Sequence, residues 1–242
     1  MTATTGPAAT AARPNNTAAQ TLTLFDLDHT LLGGDSDVLW CEFLIQRGVL
    51  DGAEFAPRNA EMERAYQAGT VSPHDFCSFY VATLAGHSPQ HWQPLREQFM
   101  QAVIAPRIPA AAQALVQAHL GAGEMVVLTT ATNRFLTELT AAHLGIAHLI
   151  ATECEQADGL FTGRIADTLN MREGKVVRLH NWLSERFLVF SEFNTRCYSD
   201  SINDLPLLEA VQHPVAVDPE PRLAAVAAAR GWPVLKLHTS PR

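Results

Sequence analysis

Residues Leu22 to Leu32 read LTLFDLDHTLL, an apolar run of strand length that ends in two aspartates one residue apart. Two carboxylates at the exposed end of a buried strand repel each other, raise a local pKa or take up a cation. Side chains alternate along a strand, so Asp26, Asp28 and Thr30 share one face if the strand stays regular, with Leu27 and His29 on the other. The competing reading is an Asp-rich turn that closes the strand by bonding its own backbone. The rest of the chain has to choose between them.

After this strand, Gly33 and Gly34 permit a sharp turn, and Asp35, Ser36 and Asp37 offer caps for a helix through about Gly48. The pattern then stays helical to about Ile104: Ala53 to Ala68, a start at Ser72-Pro73 running toward Leu84, and another at Ser88-Pro89 running toward Val103. The second half alternates. It predicts a helix over Ala110 to Leu120, a strand over Met125 to Thr130, a helix from Asn133 to Leu144, the short apolar segment HLIA, and a hairpin over Thr152 to Ile165 turning at Asp158-Gly159. A helix over Arg172 to Leu183, a strand at Arg196 to Ser199, a helix over Asp204 to Ala210, a strand at Pro214 to Val217, a helix over Glu220 to Arg230 and a strand at Pro233 to Leu237 follow.

Strands alternating with helices imply an α/β fold, a doubly wound parallel sheet of Rossmann type, here with an inserted α-helical cap. The expected division is a disordered tail at 1–20, a catalytic core at 21–36 and 105–242, and the cap at 37–104. In such sheets ligands sit beyond the carboxyl ends of the strands, where Asp26, Thr130 and Asp200 fall.

Composition narrows the function. The chain has 242 residues, 47% of them hydrophobic, enough for a well-filled interior. Seventeen basic against 25 acidic residues give a net charge of −8 without a basic tract, which argues against nucleic acid. No apolar run approaches the length of a membrane span. Cys41, Cys77, Cys154 and Cys197 are far apart, so neither a zinc knuckle nor a disulfide scaffold is indicated, and a reducing cytoplasm fits. His87 and His91 have helical ligand spacing, but Pro89 lies between them and no acid or Cys accompanies them. Oligomeric state is not readable.

Four groups remain in chain order: Asp26-x-Asp28-x-Thr30, Thr130 at the end of VVLT, Lys175 in GKVVRL, and Asp200-Ser201-Ile202-Asn203-Asp204 after RCYS. From about Thr21 to Arg230 this order resembles the haloacid dehalogenase-like hydrolases, most closely the phosphoserine phosphatase-like branch with a helical cap. The resemblance implies a phosphatase in which Asp26 attacks phosphorus to form an aspartyl-phosphate, and Asp28 protonates the leaving alkoxide and then deprotonates the attacking water. It implies Mg²⁺ as cofactor, held by Asp26, Asp200 and the backbone carbonyl of Asp28. Asp204 would orient Asp200 or Lys175 from behind, and Asn203 would reach the phosphate or serve the following helix start. Thr130 and the N–H of Ala131 would bind phosphate, with Thr129 the competing register. Lys175 would bridge Asp26 and phosphate; it is one of two lysines, with Lys236, against fifteen arginines. The bland alternatives are a solvated cation for Lys175 and acids at a helix N-terminus for Asp200 and Asp204.

Substrate choice falls to the inserted helices. Asp35 lies seven residues after Asp28, matching the acid that contacts the substrate's amine in phosphoserine phosphatases, with Asp37 a second acid nearby; ordinary N-capping explains either equally well. An amine-bearing metabolite such as histidinol phosphate or phosphoserine is therefore expected. Two departures weaken phosphoserine: Arg47, Arg58 and Arg64 do not align to that family's carboxylate-binding arginine, and Thr-Ala-Thr replaces Ser-Gly-Gly. A phosphotransferase or mutase would share the first half-reaction, and a non-catalytic phosphate-binding domain would retain the fold alone.

Overall fold

The first apolar run becomes β1 (Thr21–Phe25), whose side chains show why it lies at the centre. Leu22 and Leu24 pack into one hydrophobic cluster and Phe25 into another, all fully buried. A strand covered on both faces needs apolar residues at nearly every position. The computed structural model describes residues 20–238, so the tail expected at 1–20 lies outside the described residues apart from Gln20, whose carbonyl accepts from the Asn194 N–H.

Along the chain follow α1 (Ser36–Gln46), α2 (Gly52–Ala68), α3 (Pro73–Val81), α4 (Pro89–Phe99), α5 (Ala110–Gly121), β2 (Met125–Asn133), α6 (Arg134–Leu144), β3 (His148–Ala157), β4 (Leu160–Ala166), α7 (Glu173–Ser184), β5 (Asn194–Ser199), α8 (Leu205–Ala210), β6 (His213–Val217), α9 (Pro221–Arg230) and β7 (Val234–Leu235). The seven strands form one sheet in the order β4-β3-β2-β1-β5-β6-β7. Every neighbouring pair is parallel except the β3–β4 hairpin. Its turn residues Asp158 and Gly159 both have positive φ, 52° and 77°, as a two-residue hairpin turn with the sheet's twist requires. The HLIA segment and the first hairpin strand are one continuous element, β3, because it pairs with β2 through His148 to Ile150 and with β4 from Glu153 onward.

One face of the sheet carries α5 and α6, with α1 and α4 beside them; Phe25, Val126 and Leu128 meet Trp40, Phe99, Val116 and Leu136 there. The other face carries α7, α8 and α9, where Leu22, Leu24 and Val127 meet Leu179, Leu207 and Leu223. The sheet is therefore doubly wound, as the alternation predicts. A third cluster sits above the strand ends: Val38 and Cys41 of α1, Phe76, Cys77 and Tyr80 of α3, and the partly buried Met62 and Tyr66 of α2, packed against Ala131. Within the 37–104 segment, α4 and the π-helical turn after it (Met100–Ile104) behave differently, burying Trp92, Phe99, Met100 and Ile104 in the sheet's own core. Among the described residues, no single helix is long and apolar enough to cross a membrane.

Gly174 opens α7 so close to the preceding loop that a Cβ at this position would collide with the Leu169 carbonyl. That approach sets the direction in which the next residue, Lys175, enters the sheet's open end. Gly174→Ala is expected to cost about 2–3 kcal/mol in urea denaturation, because backbone rather than a flexible side chain must give way. An unchanged midpoint would show instead that the 168–170 loop moves freely.

Candidate active site

Asp26 extends the β1 ladder by one residue, its N–H donating to the Tyr198 carbonyl at 3.0 Å. The chain then turns rather than continuing as a strand, which corrects the alternation expected through Thr30. The Leu27 carbonyl accepts from the N–H groups of Thr30, Leu31 and Leu32, and His29 adopts a φ of 60°. The turn, not strand register, carries Thr30 back to the strand end. Its hydroxyl lies 2.9 Å from Asp26 Oδ2 and 2.9 Å from Asp200 Oδ1, and accepts from the Asp200 N–H at 3.1 Å. One hydroxyl proton thus faces two buried carboxylates.

Lys175 sits opposite. Its ammonium, almost wholly buried, donates to Asp26 Oδ1 at 2.7 Å and to Asp204 Oδ2 at 2.8 Å; Ser199 Oγ also donates to Asp204 Oδ2, at 2.7 Å. Burial alone would lower the lysine pKa, but the Asp204 and Asp26 carboxylates outweigh it and hold the ammonium charged well above its ordinary range. Asp26 moves up: burial is the largest cause, Lys175 opposes it, and Asp204 and Asp200 add repulsion. One ammonium among three acids leaves an excess of negative charge.

Asp28 points away from that pair. Its Oδ1 accepts from the N–H and Oγ of Ser36 at 2.8 and 2.6 Å, and its Oδ2 from Thr132 Oγ1 at 2.8 Å and Thr130 Oγ1 at 3.2 Å. Thr130 is fully buried, so its hydroxyl is directed to Asp28 rather than to open space; Ala131 and Thr132 line the cavity. Thr129 faces the other side of the sheet, accepting from Asn170 Nδ2 at 3.1 Å. Between the two threonines, Thr130 is the one on the side of Asp28.

These groups floor a cavity of about 1160 Å³ that also takes in Asp35, Asp37, Glu63, Tyr66 and Asn203. Asp35 fills the bland role and faces the cavity as well: its Oδ1 caps α1 by accepting from the N–H groups of Asp37 and Val38 at 2.9 and 3.1 Å. Burial first, then repulsion from Asp28, pushes its pKa up to about 8. Asp37 is buried, accepts from Asn133 Nδ2 at 3.2 Å, and is raised by burial and by Asp35. Asn203 lines the same cavity as the acids. It accepts from Arg172 Nε at 3.1 Å and donates to the Tyr66 hydroxyl at 3.1 Å, tying the β5 loop to α2.

Sequence reasoning passed over Thr132, Ser36, Glu63 and Tyr66. The spacing of Thr132, two residues beyond Thr130, and of Ser36, the first residue of the helix read after the strand, was visible; the place of Glu63 and Tyr66 at the cavity was not, because the α2 stripe of Phe55, Met62 and Tyr66 marks an inward face without saying what it meets.

The donor set suits a hard divalent cation. Asp26 and Asp200 are held on one hydroxyl and offer oxygen donors alone, and among the described residues no cluster of three or more His, Cys, Asp or Glu is arranged to hold a metal by side chains only. Mg²⁺ needs few protein oxygens and keeps water on its other positions.

Fold and site define a class, a doubly wound α/β enzyme with acids and a lysine converging at the carboxyl end of its sheet. The chain belongs to the haloacid dehalogenase-like hydrolase family, whose model matches residues 23–209. It is 39% identical over 216 residues to a histidinol-phosphatase of Neisseria meningitidis, covering 88% of this chain and 97% of the relative. It is 31% identical to a phosphoserine phosphatase of Mycobacterium tuberculosis, over 87% of this chain and 68% of that one. A solved protein from Bordetella pertussis Tohama I superposes with a TM-score of 0.87 at 44% identity, covering 91% and 100%. A substrate-bound phosphoserine phosphatase superposes at 0.65 with 15% identity, covering 90% and 94%, a likeness of fold. The protein is a phosphatase of this family.

The raised Asp35 pKa makes a prediction about stability. The folded carboxyl retains a proton that the unfolded chain, titrating near 3.8, gives up, so Asp35 subtracts stability progressively as pH rises from about 4 to about 8. Asparagine caps a helix as well and carries no charge. Asp35→Asn should therefore match the wild type near pH 4 and melt about 3–5 °C higher at pH 8 in thermal scans without divalent cations. Equal melting temperatures at both pH values would place the carboxyl in a wetter setting than its burial indicates.

Proposed function

We propose that the chain is a Mg²⁺-dependent phosphomonoesterase that hydrolyses a small metabolite phosphate bearing a cationic amine, histidinol phosphate being the best fit, through an aspartyl-phosphate on Asp26. The observation that carries the substrate reading is the cavity wall: Asp35, Asp37 and Glu63 face a space whose floor is Asp26 and Lys175. A carboxyl held up at about pH 8 gains most from a ligand that brings positive charge. The 39% identical histidinol-phosphatase supports the same choice. Phosphoserine would ask the helices of the 37–104 segment for a cation to meet its carboxylate. Arg58 and Arg64 are instead paired with Glu54 and Glu61, Arg47 lies over Phe43, and none of the three lines the cavity.

In the proposed reaction an Asp26 carboxylate oxygen attacks phosphorus while the bond from phosphorus to the alcohol oxygen breaks. Asp28 gives its proton to the departing alkoxide, then takes one from the water that cleaves the aspartyl-phosphate, so Asp26 is regenerated and phosphate leaves. Bound through Asp26, Asp200 and the Asp28 carbonyl, Mg²⁺ would supply charge neutralisation for the phosphate. Lys175 opposes the burial that favours the neutral form of Asp26 and directs its carboxylate, and Asp204 keeps Lys175 directed in turn. Thr130 and the Ala131 N–H bind phosphate oxygens as Asp28 turns from the threonines toward the substrate. The α1–α3 cluster acts as the cap, closing the cavity against water during transfer, and the Asn203–Tyr66 bond joins it to the β5 loop.

Phosphate release from an aryl phosphate and from histidinol phosphate, assayed side by side, separates the parts of this reading. EDTA and Asp26→Asn should each abolish both activities; undiminished turnover in Asp26→Asn would remove Asp26 as nucleophile. Asp35→Ala should lower kcat/KM for histidinol phosphate about tenfold or more while changing the aryl phosphate by less than about threefold, the loss of one hydrogen bond to a charged group. Equal losses on both substrates would leave Asp35 as a helix cap alone.

A further inference from the structure

The last described residues return over the loop that carries Asp26. Asp218, directly after β6, donates its N–H to the Leu235 carbonyl at 2.9 Å, and its Oδ2 accepts from the N–H groups of Leu237 and His238 at 2.7 and 3.0 Å. Both chain directions at the end of β7 are thereby fixed by one residue. Held this way, His238 directs its imidazole at the turn after Asp26, where Nε2 lies 3.0 Å from the Thr30 carbonyl. A carbonyl only accepts, so the ring carries its proton on Nε2 here. The ring also packs on Gly33, where an added Cβ would stand 3.6 Å from Nδ1 and 3.4 Å from the Arg107 carbonyl. Asp218, Lys236 and His238 line the same cavity as Asp26.

We propose that His238 is a positioning residue for the phosphoryl-transfer site. Thr30 is where its effect is delivered: the carbonyl of that residue takes the imidazole hydrogen bond, while its hydroxyl sits 2.9 Å from both Asp26 and Asp200. Turning the Thr30 peptide changes the spacing between those two carboxylates. His29, with its positive φ, marks the turn as strained backbone, and its N–H donates to the Gly34 carbonyl at 3.1 Å. The tether reaches this turn from 208 residues further along the chain. The proposal rests on the reading of Asp26 and Asp200 as the reacting and metal-holding pair, so its test needs readouts that do not depend on turnover.

Three substitutions separate the donor from the ring. His238→Phe keeps the packing on Gly33 and removes the hydrogen bond, His238→Gln keeps a donor of similar reach, and His238→Ala removes both. Amide hydrogen exchange over residues 27–34 is expected to accelerate in the Phe and Ala variants and to stay near wild type in Gln. Calorimetric titration with Mg²⁺ alone should show weakening of about three- to tenfold in Phe and Ala, with Gln again close to wild type. On an aryl phosphate at saturating Mg²⁺, kcat should fall about tenfold in Phe and Ala with KM within about twofold, and Gln should recover most of it. Unchanged exchange in His238→Ala would overturn the tether whatever the chain hydrolyses. Faster exchange with unchanged Mg²⁺ affinity and kcat would overturn the positioning role, and equal losses in Phe and Gln would assign the effect to shape instead of the hydrogen bond. A wild-type enzyme that binds Mg²⁺ but hydrolyses none of the phosphates would overturn the proposed reaction while exchange and Mg²⁺ affinity still decided the tether.

Discussion

The ammonium of Lys175, 2.7 Å from Asp26 and 2.8 Å from Asp204 and almost wholly out of solvent, is the contact on which the strand ends depend. Parallel strands place their carboxyl ends on one edge of the sheet, and here β1 and β5 are adjacent, so Asp26 and the Asp200–Asp204 loop are forced together. Without a cation between them their repulsion would act through a dry interior, where removing one partner of a buried pair costs roughly 3–5 kcal/mol. A lysine suits the gap because its charge is compact and its donors point in several directions. Two hydroxyls complete the arrangement, Ser199 on Asp204 and Thr30 between Asp26 and Asp200.

The same logic links the site to α1. The first turn of that helix offers unpaired N–H groups and the positive end of its dipole. Asp35 takes two of those N–H groups and Asp28 takes that of Ser36. A residue proposed to move protons and a residue proposed to read the substrate are therefore held by consecutive peptides. Motion of α1 relative to the sheet would change both at once, which gives the helix cluster above the site a direct path to the chemistry below it.

The strand–helix alternation of a doubly wound sheet and the acid, threonine, lysine and acid sequence of groups were legible because each is a local pattern: an apolar run, a strand-end polar residue, a helix start; the order of the strands in the sheet was not. The Asp158-Gly159 turn was legible for the same reason. What the sequence hid was the turn at Leu27, whose single carbonyl takes three N–H groups and brings Thr30 back over Asp26; continued alternation would have given nearly the same set of facing residues for a different reason. The Asn203–Tyr66 bond and the His238–Thr30 bond join residues 137 and 208 positions apart, and no periodicity reports such a meeting. The balance between capping and substrate contact at Asp35 was equally hidden, since it turns on burial; the carboxylate caps α1 and also lines the cavity.

Asp26 and Asp35 share a condition that ties stability to function. Both are pushed toward their neutral forms chiefly by burial, and both lie at the margin of a cavity rather than in a closed core. A core position with this cost would be replaced by an apolar residue at little loss. At a cavity margin the cost is relieved by whatever positive charge arrives, so a ligand bringing that charge binds the folded chain by the differential it removes. The substrate-free chain is thus held below its attainable stability by Asp35, the carboxyl proposed to read its substrate, and a neutral replacement there would stabilise the fold by removing the means of recognition; at Asp26 the pairing with Lys175 works against any such gain.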